Sequence, residues 1–101
     1  MHTPAPLVAR CASLDEVRIR IDQADRQLVA LLAERALYVA QAAHFKQQTA
    51  EIAAPQRARE VIAHAVARAQ ELGAPTDVVE ATYRAMIDAF VAHEGAVFNA
   101  R

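Results

Sequence analysis

The sequence predicts an all-α chain with three helices, one long and N-terminal and two shorter, that pairs as an intertwined homodimer. Three observations point there. Apolar residues make up 54% of the 101 positions, alanine is used heavily, and glycine occurs only at Gly73 and Gly95, a composition that favours helices over sheets. Apolar side chains recur at intervals of three and four through Val17, Ile21, Ala24, Leu28, Leu31, Leu32, Ala36, Val39, Ala42, Ala43 and Phe45, the period of one helix face. No proline or glycine breaks the stretch from Ser13 to Ala54.

Residues 1–12, with Pro4 and Pro6 and little periodicity, read as a flexible lead-in, and residues 13–101 as the ordered helical domain. Ser13 and Glu16 stand at capping-box spacing, so a first helix is expected over about 14–47. The following segment, Gln47 to Ala54, is too long for a tight turn and has no pattern of its own; a loop of this kind can close over a site. Pro55 suits the first position of a second helix, and Gly73 suits its left-handed cap. A third helix should follow Thr76 as cap and turn Val79, Tyr83, Met86, Ile87, Phe90 and Val91 inward, ending near Phe98.

Geometry constrains the assembly. A helix of about 33 residues spans roughly 50 Å, whereas a compact globule of this size has a radius of gyration near 13 Å. One chain cannot bury such a rod. An apolar stripe along its whole length therefore implies two long helices packed together with the shorter helices laid over them. The alternative is a kinked first helix in a monomeric bundle.

Composition also narrows the function. A net charge of −1 with interspersed signs gives no electrostatic case for nucleic acid or an anionic membrane. A lone cysteine, Cys11, cannot form an internal disulfide, and neither an export signal nor an apolar run long enough to span a bilayer is visible, so a cytoplasmic protein is expected. His2, His44, His64 and His93 lack paired metal spacing, no glycine-rich phosphate loop occurs, and the single serine is better used as a cap than as a nucleophile. Neither a metal nor a cofactor is expected.

The informative residues are cations. Arg35 and Lys46, eleven positions apart, leave the same side of the first helix about three turns apart and can converge on one anion. Arg18 precedes Arg35 by seventeen positions, roughly 25 Å along the axis, too far for one small ligand to touch both on the same helix. If all three serve one site, Arg18 comes from a second copy of the chain. Taken alone, each arginine could instead be a solvated helix charge paired with Asp22 or Glu34.

From Leu14 to about Phe98 the chain resembles the all-helical chorismate mutases and their relatives, the isochorismate pyruvate lyases. The resemblance rests on Leu14, Val17-Arg18, Ile21-Asp22, Asp25, Leu28-Val29 and Leu31-Leu32-Ala33-Glu34-Arg35 in register, then Lys46, then Pro55-Gln56-Arg57 opening the second helix. It implies a buried basic pocket in which Arg35, Lys46 and Arg57 of one chain meet Arg18 of the other, completed by Glu94 where the family places glutamine or glutamate. The implied substrate is a small dicarboxylate, chorismate or isochorismate, for which arginine forks supply charge and orientation. The implied reaction is the pericyclic rearrangement of chorismate to prephenate, a step of the shikimate route to aromatic amino acids. It needs no general base, only a folded substrate and a donor to the ether oxygen, with Lys46 and Glu94 in that role.

Three positions depart from the mutase pattern. Ala54 and Ala58 stand where many mutases carry acids that contact the ring hydroxyl, which resembles the lyases that release pyruvate from isochorismate to leave salicylate. The third helix, with Ala89, Phe90 and Glu94, lacks a lyase's aromatic pair and glutamine. Glu94 can donate only when protonated, so activity is expected to rise toward acid pH, and Glu94→Gln to raise or flatten it near neutrality. A non-catalytic helical dimer is the remaining reading, although an interaction module has no reason to bury three cations.

Overall fold

The computed structural model describes residues 8–48 and 50–100. Its elements are α1 (Leu14–Phe45), α2 (Ala50–Ala53), α3 (Pro55–Leu72) and α4 (Thr76–Ala100). The long first helix and the two shorter ones match the expected arrangement, and α2 is an addition. Of the lead-in, residues 1–7 lie outside the described residues, while Val8, Ala9 and Cys11 run beside Val17, Ile21 and Ala24 of α1.

Each helix end has a local cause. The Ser13 Oγ accepts the Glu16 N–H at 3.1 Å, and the Glu16 carboxylate reaches back to the N–H of Ala12 at 2.9 Å, a capping box displaced by one residue. α1 stops at Lys46, whose extended backbone (φ −90°, ψ 142°) turns the chain away. The next segment forms the single turn α2, where Glu51 donates its N–H to the Gln48 carbonyl, and Ile52 becomes buried. One turn of four residues is too short to leave a periodic signature. Ala54 then takes a left-handed conformation (φ 32°, ψ 63°) and gives α3 no side-chain cap, while Pro55 begins the helix. Gly73 (φ 70°) closes α3, with the Ala74 N–H donating to the Ala69 carbonyl at 2.8 Å, the six-to-one bond of a glycine C-cap. α4 already includes Thr76, and the Val79 N–H donates to the Pro75 carbonyl, so the helix opens one residue earlier than Thr76 as cap would give.

α4 is the centre of the packing, with α1 on one side, α3 on the other and α2 across it. The inward residues expected on α4, Val79, Tyr83, Met86, Ile87, Phe90 and Val91, are all half-buried. The chain is elongated, 53 × 26 × 24 Å with a radius of gyration of 16.6 Å, against about 13 Å for a compact globule of this length. The N-terminal part of α1 causes the difference. Val17, Ile21, Leu28, Leu31 and Leu32, all on the predicted inward stripe, are exposed in the single chain, and the first well-covered position of α1 is Ala43. The α1 stripe thus outruns what α4 can cover.

Candidate functional site

Where α1, α2, α3 and α4 converge they line a half-open cavity of about 330 Å³, within the size range of small-molecule sites. Its apolar wall includes Tyr38, Val39, Ile52, Val61, Ile87 and Val91, and its polar groups are Arg35, Lys46, Arg57 and Glu94. Four of the five residues singled out in the sequence therefore line one space. Arg18 does not: it is exposed on the first turns of α1, about 25 Å along the helix axis from Arg35.

Helical spacing accounts for the convergence. Arg35 and Lys46 leave one side of α1, Lys46 at the residue where the helix ends. Phe90 and Glu94, one turn apart, share the side of α4 that faces them. Arg57 enters from the first turn of α3, two residues after Pro55. Ala54, Ala58 and the buried Ile52 make the adjoining wall apolar.

The groups are held in three different ways. Lys46 donates to Glu94 in a hydrogen-bonded ion pair, and Glu94, at 7% exposure, is the buried charged residue among those described. Such a pair requires both partners, since a carboxylate this deep is costly without its cation. The Arg35 guanidinium instead lies over the Phe90 ring, 4.6 Å from its centroid. Arg57 is the loosest, with 67% of its side chain exposed and only a long 3.8 Å contact to Glu60.

Three cations thus face one carboxylate, which already engages Lys46. This balance suits an anion with two negative charges, and the arginine forks can each bind a carboxylate in two-point fashion. Sequence reasoning placed Phe90 in the core and Ile52 in a patternless loop, and so missed both as pocket residues. For Phe90 a signal was present, since it stands one turn before Glu94 and must share its face.

A family model described as chorismate mutase type II matches residues 17–95, a span that includes all five candidate residues. Over 84 residues the chain is 31% identical to the isochorismate pyruvate lyase of Pseudomonas aeruginosa, an alignment covering 83% of this chain and 83% of that enzyme. On the family match over most of its length and on this relative, the chain belongs to the chorismate mutase type II family of enzymes.

Proposed function

We propose that this enzyme is a chorismate mutase that rearranges chorismate to prephenate in the α1–α4 cavity, completed by Arg18 of a second chain. The observation that carries the reading is the convergence of Arg35, Lys46, Arg57 and Glu94 on one cavity of substrate size. The arginines bind the two carboxylates and hold the enolpyruvyl arm over the ring. In the rearrangement a C–O bond breaks as a C–C bond forms, with no covalent enzyme intermediate and no proton transfer required. The enzyme's task is to restrain the reactive conformer and to meet the charge that grows on the ether oxygen. Lys46 is the donor to that oxygen, released from Glu94 as substrate enters. Protonated Glu94 is a second donor. A million-fold acceleration, near the low end for enzymes, needs roughly 8 kcal/mol, which restraint and two aimed donors can supply.

The uncovered face of α1 supports the dimer. Fully burying Leu28, Leu31, Leu32 and their neighbours stabilises by about 1.5–3 kcal/mol per side chain, and a second α1 is a matching apolar surface. Antiparallel pairing of two such helices carries the N-terminal turns of one, and Arg18 with them, toward the Arg35–Lys46 end of the other.

A second reading, isochorismate pyruvate lyase with release of pyruvate and salicylate, is favoured by the apolar Ala54–Ala58 wall and by the Pseudomonas aeruginosa relative. The test gives purified protein chorismate and isochorismate separately and quantifies prephenate and salicylate, with Lys46→Ala as control. Prephenate from chorismate, lost in the control, is the expected result. Salicylate from isochorismate with little prephenate makes the enzyme a lyase, and neither product leaves a non-catalytic dimer.

A further inference from the structure

The two α1 cations of the cavity are both propped by α4, but by different chemistry. Lys46 has a carboxylate, Glu94, and Arg35 has an aromatic face, Phe90, one turn earlier on the same helix. Arg35 has no salt bridge among the described residues. Its own helix offers none either, because the positions three and four away are Leu31, Leu32, Tyr38 and Val39. A long guanidinium side chain in that setting is free to sample many rotamers unless something else fixes it.

We propose that Phe90 is a positioning residue: its ring holds the Arg35 guanidinium at the cavity, so that the N–H fork is already aimed when a substrate carboxylate arrives. The inference rests on the functional reading above and adds to it a residue that never needs to touch the reacting atoms. A cation over an aromatic face is attracted by the ring's negative face, and the stack leaves the in-plane N–H groups unused. A carboxylate in place of Phe90 would fix the arginine equally well but would occupy its fork and cancel its charge. The ring itself is steadied by His93, which packs edge-on with centroids 6.3 Å apart and planes at 83°. Phe90 therefore links the α1–α4 packing to the orientation of a substrate-binding group.

The test compares Phe90→Leu, which keeps apolar bulk but loses the π face, with Phe90→Tyr, which keeps the face. Each is measured alone and in an Arg35→Ala background, on whichever of chorismate and isochorismate the wild type turns over. Pre-aiming that benefits substrate and transition state alike appears in KM, so F90L should raise KM about fivefold with kcat changed less than about twofold, while F90Y stays within about twofold of wild type. In the R35A background F90L should shift KM by less than about twofold, since the group it positions is gone. An NMR measurement without substrate reads the stack directly: the Arg35 Nε–H proton should be shifted upfield by the ring in wild type and F90Y, and not in F90L. A KM rise that persists undiminished in R35A, or an active wild type whose KM is untouched in F90L, overturns the proposal while leaving the mutase reading intact. A wild type that turns over neither compound overturns the functional reading and, with it, the use assigned to the stack, even if the upfield proton is present.

Discussion

Replacing Glu94 with glutamine tests the chemistry of the cavity because the same contact bears on stability and catalysis in opposite directions. In the resting site Lys46 donates to the Glu94 carboxylate, with side-chain exposures of 22% and 9%. Lys46 stays charged in E94Q, so a hydrogen bond to a charged donor remains while the attraction between the two charges is lost, and stability should fall by about 1 kcal/mol. For a domain of this size that is a fall in Tm of about 4–8 °C, read by circular dichroism. Catalysis should move the other way. An ionised Glu94 competes with the ether oxygen for Lys46, accepts where a donor is needed, and repels a dianion. Glutamine removes the repulsion and adds an N–H donor. If about 1.4 kcal/mol is regained in the transition state, kcat/KM near neutrality rises about tenfold. Prephenate formation from chorismate near neutral pH is the assay. An E94Q enzyme with kcat/KM unchanged or reduced near neutrality refutes the account of the Glu94 carboxylate as a competitor for Lys46.

Two further outcomes follow from the fold. Ala54 is held at φ 32°, a left-handed conformation that costs a residue with a Cβ roughly 1–2 kcal/mol, so Ala54→Gly should stabilise by about 1 kcal/mol and raise Tm by several degrees; an unchanged or lower Tm contradicts the strain at that cap. Leu28→Glu combined with Leu32→Glu places charge on the exposed α1 stripe, and sedimentation equilibrium should show the dimer dissociating at concentrations where wild type stays paired; an unaffected dimer means the chains associate through another face.

The helices were largely legible because their signals are local. Ser13 and Glu16 announce α1, Pro55 opens α3 and Gly73 closes it, each by satisfying or sparing backbone groups within one turn. Arg35, Lys46 and Glu94 could be grouped because helical spacing and family pattern fix which side each leaves. What sequence did not reveal depends on contacts between elements. The turn α2 exists where Ile52 finds cover, the left-handed Ala54 is imposed by the join between α2 and Pro55, and the Phe90–Arg35 stack depends on how α4 crosses α1. Burial of Glu94 was implied by the family pattern alone, since nothing local to its helix signals it before α1 and Lys46 are laid over it.

Each proposed shared site takes Arg35, Lys46, Arg57 and Glu94 from one chain and Arg18 from its partner. Its most direct test mixes Arg18→Ala and Lys46→Ala chains, unfolded in equal amounts and refolded together, and measures turnover of chorismate. Each variant alone should be nearly inactive. Random pairing makes half the dimers mixed, and each mixed dimer has one intact site and one doubly damaged one, so activity should recover to about a quarter of wild type. No recovery in a mixture shown to contain mixed dimers would mean that Arg18 and Lys46 do not meet across the interface, and the shared-site account would be wrong.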